Sequence, residues 1–330
     1  MKIKIFSHTD LDGIGCAILA FLAFGKENVE VEYCDYKDID EKVFETYSNG
    51  LDAMYDDIFI TDISISGGLA ERINDNTDTS KWHLFDHHPT ALELNRYDWC
   101  EVIVEVGCDK IIKPSGTSLL YSYLLNQGYF DKYLEKEIKS DNHAYRNISK
   151  FAKLVRDYDT WRWKELGERG LTSKKLNDVF YILGRDQFID WVSIAIRFDG
   201  EDFPYFDDTI EALLEQKQKD IDAYVNQKSE SLIVQVDKYG HEYGAVFADR
   251  YFSELGCRLC EMHDIDYVAM IDLSRGLISF RTNREDLSLC DEIAHSFSGG
   301  GHRKAAGGRF DGKSAADFVT SELFKGRWMA

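Results

Sequence analysis

The chain has 330 residues, 44% of them hydrophobic and 13% aromatic, enough to bury a large core and, by length, to form about two domains. A formal net charge of −20 excludes a protein that grips long nucleic acid, because such binding depends on many Lys and Arg side chains neutralising backbone phosphates. The longest apolar run, residues 14–24, is half of the roughly 20 residues needed to span a bilayer, and seven scattered cysteines fit reduced thiols better than a disulfide framework, so a cytoplasmic protein with neither membrane span nor signal peptide is expected.

In chain order, the first half alternates strand and helix signals. Strands are predicted at 2–6 (KIKIF), 29–33 (VEVEY), 58–61 (IFIT), 82–85 (WHLF) and 101–106 (EVIVEV), with segments able to be helical between them. This alternation predicts an α/β fold with a doubly wound, mainly parallel sheet, in which ligands collect beyond the carboxyl ends of the strands. Residues 140–203 read as helical, with Trp161, Trp163 and Trp191 assigned to core or interface. A helix is predicted over 207–229, where Ile210, Leu213, Leu214, Ile221, Tyr224 and Val225 recur at helical spacing opposite a charged face. It serves as connector, giving a first domain over 1–190, a helical linker over 191–230 and a smaller α/β domain over 231–330.

In that second domain, strands are predicted at 243–248, 267–272 and 277–282, the last two joined as a hairpin across Ser274-Arg275-Gly276. Cys257 and Cys260 form a CxxC pair, but Leu255, Leu259 and Met262 around it point to a helix with buried thiols. Cys290, Ile293, Ala294 and Phe297 mark a short helix ending at a glycine run, Ser298-Gly299-Gly300-Gly301-His302, after which the small residues from Ala305 read as a helix start.

Three motifs each follow a strand. In Ser7-His8-Thr9-Asp10-Leu11-Asp12-Gly13, the spacing of two between His8, Asp10 and Asp12 directs three ligand-type side chains to one side; the bland alternative is an N-capped helix after a polar loop. Asp62 follows Thr61, and Asp86, His87 and His88 follow Phe85. In a parallel sheet these strand ends open on one edge, so the carboxylates approach one another and raise each other's pKa values. Divalent cations resolve that repulsion, and a mixed His and Asp shell suits Mn²⁺ or Fe²⁺, with Mg²⁺ or Co²⁺ as substitutes.

This set resembles the DHH phosphoesterase superfamily, named for the triplet found here as Asp86-His87-His88. A fourth motif resembles Val155-Arg156-Asp157-Tyr158-Asp159-Thr160-Trp161; by resemblance Asp157 is the metal ligand, with Asp159 as the competing candidate. Residues 298–308 resemble the GGGHxxAAG signature of the DHH-associated substrate domain. Glycines there bring N–H groups close to an anion, and Gly299, Gly300, Gly301, His302 and Arg281 are implied to hold a substrate phosphate. Ser115-Gly116-Thr117-Ser118 matches a helix-start motif of the relatives and reads as structural capping.

The resemblance, covering about 1–190 and 231–330, implies a two-metal phosphodiesterase that cuts short oligoribonucleotides to mononucleotides, as nanoRNases do. Its metal ligands would be His8, Asp10, Asp12, Asp62, His87 and Asp157, with Asp62 bridging two divalent cations, Mn²⁺ foremost. His88 would meet the scissile phosphate or protonate the leaving oxygen, and Asp86 would orient the histidines. Relatives often place the first histidine four residues before the first aspartate, whereas His8 stands two before Asp10. The alternatives are phosphodiesterases of cyclic or linear dinucleotides, a 3′-phosphoadenosine-5′-phosphate phosphatase, and a nucleotide-binding regulator without turnover. The implied partner is a short oligonucleotide or dinucleotide, with no long nucleic acid and no membrane; homodimerisation stays open.

Overall fold

In the computed structural model, residues 1–107, 111–131, 143–197, 203, 204 and 206–309 are described. The chain divides into two compact units, Met1–Leu214 and Glu215–Ala330.

The first unit is built on a five-stranded parallel sheet of order β2-β1-β3-β4-β5, from Ile3–His8 (β1), Val29–Cys34 (β2), Asp57–Thr61 (β3), Trp82–Asp86 (β4) and Cys100–Val102 (β5). Alternate side chains of each strand feed opposite cores, as a sheet covered on both faces requires. Ile3, Ile5, Phe59 and Phe85 pack under Leu11–Phe24 (α1), Gly116–Asn126 (α4) and the later helices. Phe6, Ile58, Ile60, Trp82 and Leu84 face Ile39–Ser48 (α2) and Gly67–Asn76 (α3). The chain passes from β1 to β2 on one side and returns to β3 on the other, so the topological switch point lies between β1 and β3, where such sheets leave a crevice. The edge strand β5 is shorter than its apolar run predicts: it stops at Val102, and Val106 instead bridges Ile112.

After α4, the described residues continue with the helices His143–Asp159 (α5), Arg162–Glu165 (α6), Leu171–Leu183 (α7) and Arg185–Arg197 (α8). The long helix Asp208–Glu230 (α9) buries Ile210 and Leu214 in the first unit's core, and Ile221, Tyr224 and Val225 in the second's.

The second unit has a six-stranded sheet of order β10-β11-β9-β8-β7-β6, antiparallel except between β7 and β8. Its strands are Ile233–Val236 (β6), Glu242–Phe247 (β7), Tyr267–Asp272 (β8), Leu277–Arg281 (β9), Gly300–His302 (β10) and Ala305–Arg309 (β11), with Phe252–His263 (α10) between β7 and β8. The CxxC segment is helical, with Cys260 buried and Cys257 half-buried. Strand β6 carried no prediction, and one expectation changes. The exposed edge strand β6 has no buried face and so gave no alternation. The small residues from Ala305 begin a strand, not a helix, because they pair with β9 from Ala305↔Arg281 to Arg309↔Leu277. Among the described residues, no helix is long and apolar enough to cross a membrane.

Candidate metal centre

The three strand-end motifs converge at the β1/β3 switch point. Asp10 N-caps α1, its Oδ1 accepting from the Asp12 and Gly13 N–H groups at 3.1 Å each. His8 Nδ1 lies 3.0 Å from Asp10 Oδ2 and 3.7 Å from Asp62 Oδ2. Asp62 adopts left-handed backbone, φ 59°, which aspartate tolerates better than most residues, and its N–H donates to Phe85 O at 2.9 Å. That turn delivers a carboxylate only 1% exposed into the crevice.

Asp12 is fixed from the far side of the crevice by α4. Its Oδ2 accepts from the Gly116 N–H at 2.6 Å and its Oδ1 from the Thr117 N–H at 2.9 Å, a carboxylate seated on the positive end of a helix. Thr117 Oγ1 donates to the Asp12 carbonyl at 2.6 Å. Ser115 caps the same helix in a reciprocal capping box with Ser118, as the motif predicts, but the neighbouring N–H groups also hold a site carboxylate, a second role the sequence reading missed. Gly116 is required by proximity: a Cβ there would stand 2.5 Å from Asp62 Cβ and 2.9 Å from its Cα.

His87 Nε2 faces three carboxylates, 3.2 Å from Asp62, 3.5 Å from Asp159 and 3.8 Å from Asp12. Asp86 does different work. Its Oδ1 accepts from the His87 N–H at 2.8 Å, the His88 N–H at 3.3 Å and His88 Nδ1 at 2.7 Å, while its Oδ2 accepts from Ser64 Oγ at 2.5 Å. On the other side of the His88 ring, Nε2 lies 3.3 Å from the Tyr36 hydroxyl. Sequence reasoning gave neither residue a role: Ser64 closes the Thr61-Asp62-Ile63-Ser64 motif, of which only Asp62 was singled out, and Tyr36 sits in a turn without a motif.

The fourth motif departs from expectation. The buried Asp157 carboxylate turns to its own neighbours, accepting from Arg156 at 2.8 Å and Arg162 at 3.4 Å. Asp159, two residues on at the end of α5, brings its carboxylate to His87 and Asp12. On a helix a step of two residues turns the side chain through more than half a turn, so only one of the pair can face the crevice.

Electrostatics follow from this crowding. Burial, reinforced by the charges of Asp12 and Asp10, pushes Asp62 and Asp159 well above the usual carboxylate range. Burial would raise Asp10 too, but the adjacent His8 ring outweighs it and holds that carboxyl at about 2. Burial keeps His87 below the ordinary histidine range, in the neutral form that a cation requires of imidazole. In His88 the same burial is outweighed by the Asp86 carboxylate, so its pKa rises.

The residues fit divalent cations. Asp62 Oδ2 is buried with no hydrogen-bond partner, and the buried His8 Nδ1, although 3.0 Å from Asp10 Oδ2, makes no well-directed hydrogen bond. Three overlapping donor sets each gather within 4.8 Å: His8, Asp10 and Asp62; Asp12, His87 and Asp159; and Asp62, Asp86, His87 and His88. Oxygen and imidazole donors in such density suit Mn²⁺, Fe²⁺ or Mg²⁺.

The candidate phosphate residues lie in the second unit. Arg281 on β9 donates to the Phe280 carbonyl at 2.8 Å and lies 3.4 Å from Ser253 Oγ, leaving its buried Nε without a partner. The glycine run is more structural than the motif suggests. The Gly299 N–H donates to Ala294 O, and a side chain at 299 would collide with Gly307 O, so the glycines let β10 close onto β11. Of His302 only the backbone is described.

No family model matches the chain. It is 36% identical over 306 residues to oligoribonuclease NrnB of Bacillus subtilis (strain 168), a match covering 92% of this chain and 71% of that protein. Among solved structures, a DHH domain from a member of the s1p family of ribosomal proteins superposes with a TM-score of 0.58 at 10% identity, covering 98% of this chain and 85% of that one. The exonuclease RecJ bound to manganese superposes with a TM-score of 0.53 at 14% identity, covering 99% and 88%. The last two show the fold; together with the first, and with the donor sets gathered at the switch point, they establish that this chain belongs to the DHH phosphoesterase superfamily, alongside NrnB, and is a metal-dependent phosphoesterase.

Proposed function

We propose that the chain is a two-cation phosphodiesterase, working with Mn²⁺, that hydrolyses short oligoribonucleotides to mononucleotides. The observation that carries the reading is the position of Asp62 between two donor sets: it completes the set with His8 and Asp10, and its Oδ1 lies 3.2 Å from His87 Nε2, which belongs to the set with Asp12 and Asp159. In this assignment His8 and Asp10 would hold one cation and Asp12, His87 and Asp159 the other, with the Asp62 carboxylate available to both. A cation pair supplies an activated water and neutralises charge on the attacking and leaving oxygens of an in-line displacement.

The chain's own residues do the rest. The Gly116 and Thr117 N–H groups hold Asp12 in place before substrate arrives, so no reorganisation is needed. Asp86 fixes the His88 ring through Nδ1, which directs Nε2 outward to give its proton to the leaving oxygen. Arg281, with the Gly299, Gly300, Gly301 and His302 segment, is assigned to a substrate phosphate, for which a planar guanidinium is suited.

Three observations support short RNA as substrate and Mn²⁺ as cofactor. The relative at 36% identity is named an oligoribonuclease. RecJ, of the same fold, was solved bound to manganese. The net charge of −20 disfavours long polyanions, leaving short ones held locally. The test is product-resolved hydrolysis in Mn²⁺ of RNAs of two to five nucleotides, an RNA of about 24 nucleotides, cyclic dinucleotides and 3′-phosphoadenosine-5′-phosphate, with Asp62→Asn as control. Preference for the short RNAs, abolished in the control, is expected. Preference for a cyclic or bisphosphorylated nucleotide would replace the substrate.

A further inference from the structure

Next to the metal centre, within the first unit, lies a cavity of about 280 Å³, near the lower end of ligand-pocket sizes at roughly 300 Å³. It shares Asp86 and His88 with the centre, so an occupant would sit beside the bond that His88 serves. Its floor is apolar, formed by the buried side chains of Ile39, Ile65, Ala91 and Leu94. Among the described residues that line it, the ionisable side chains besides Tyr36 and the Asp86–His88 pair are the acids Asp40 and Glu93, with no lysine or arginine.

Tyr36 forms the rim. It is 58% exposed, an unusual position for an aromatic ring that no core packing demands. Two contacts hold it: its ring centroid is 5.2 Å from that of His8, and it meets His88 edge-on at 6.1 Å with its hydroxyl 3.3 Å from Nε2.

We propose that this cavity is the subsite for one nucleoside of the substrate, the one joined to the bond that is cut. Its base lies against the Tyr36 ring and the apolar floor, and its sugar hydroxyls donate to Asp40 and Glu93. The acidic lining repels a further phosphate, so the nucleoside accepted here is a chain end that carries none. An apolar floor with carboxylate acceptors and no lysine or arginine suits a neutral sugar and base better than a second anion. The proposal rests on the phosphodiesterase reading above and names where that substrate's end is selected.

The test uses the full chain in Mn²⁺ as wild type, Tyr36→Phe and Tyr36→Ala, with two readouts. In diribonucleotide hydrolysis, Tyr36→Ala should raise KM relative to Tyr36→Phe by roughly 5- to 150-fold, the equivalent of losing one base stacked on an aromatic ring. Free adenosine and uridine, titrated and followed by saturation-transfer NMR, should bind wild type and Tyr36→Phe and fail to bind Tyr36→Ala. A terminal phosphate on the selected nucleoside should slow hydrolysis, and Glu93→Gln should narrow that difference. Equal kcat losses in both Tyr36 variants with unchanged KM would reduce Tyr36 to a positioning residue for His88 and overturn the subsite. So would nucleoside binding that is indifferent to Tyr36, or absent from wild type. If wild type cleaves no short RNA yet binds nucleosides at Tyr36, the functional reading fails and the subsite stands.

Discussion

Replacing Gly116 by alanine perturbs the contact on which the metal centre is built. The new Cβ would stand 2.5 Å from Asp62 Cβ and 2.9 Å from its Cα, where ordinary contact begins at 3.4 Å, so something must move by close to an ångström. Neither side yields easily. Asp62 is a left-handed residue pinned to Phe85, and the first turn of α4 is tied to Asp12 through the Gly116 and Thr117 N–H groups. Forced overpacking of this kind costs about 1–3 kcal/mol. If α4 retreats instead, two hydrogen bonds to a buried carboxylate weaken, each worth roughly 1.5–3 kcal/mol. Urea unfolding should therefore show a loss of about 1–3 kcal/mol at an unchanged m-value. Cation affinity, measured by calorimetry, should fall by roughly 10- to 100-fold, as it does when a ligand's outer partners are disturbed. Gly68→Ala in α3 is the control: its Cβ meets nothing within 4 Å, and it should gain up to about 1 kcal/mol from helix propensity. If Gly116→Ala unfolds at the same urea concentration as that control and binds cations with wild-type affinity, the close approach of α4 and Asp62 has been misjudged.

Asp159→Asn should reduce the bound Mn²⁺ from two per chain to one by elemental analysis, whereas Asp157→Asn should keep two and lose about 1–3 kcal/mol of stability by leaving Arg156 and Arg162 without their carboxylate; two ions in Asp159→Asn would return the fourth motif to Asp157. His88→Gln should lower kcat while both ions remain bound, and loss of an ion would make His88 a ligand instead of a proton donor. The pH dependence of the metal-free fold follows from Asp62 and Asp159, whose folded-state pKa values are raised by burial and neighbouring carboxylates. A raised folded-state pKa gives stability present below the unfolded carboxylate value and lost as pH climbs through the folded one. In EDTA, then, Tm should decline as pH rises above the ordinary carboxylate range, and the gain on adding Mn²⁺ should grow with pH; a gain independent of pH would mean that these carboxylates are not what the cation neutralises.

Strand alternation and the residues at strand ends carried most of the fold and the ligand types, since a buried parallel sheet writes itself as repeated apolar runs and its switch point collects polar residues. His8, Asp10, Asp12, Asp62, Asp86, His87 and His88 were legible for that reason, each lying at or just beyond a strand. Less legible was anything decided by direction within a helix. Asp157 and Asp159 are equivalent as text, and only the rotation of α5 and the two arginines beside Asp157 separate them. Contacts between distant segments were also hidden, as with Tyr36 on His88 and α4 on Asp12. The glycine run was read for its N–H groups, whereas hairpin closure accounts for Gly299 once β11 is seen to pair with β9. The edge strand β5 was drawn too long and the edge strand β6 was not predicted at all, because at a sheet edge a strand's length and exposure depend on partners that the local sequence does not name.

The most direct measurement of the central claim is anomalous diffraction at the manganese edge from crystals of the chain grown with Mn²⁺. Two peaks roughly 3.5–4 Å apart are expected, on either side of the Asp62 carboxylate, one within reach of His8 and Asp10 and the other of Asp12, His87 and Asp159. A single peak, or two that do not share Asp62, in crystals of protein that still cleaves short RNA would contradict it.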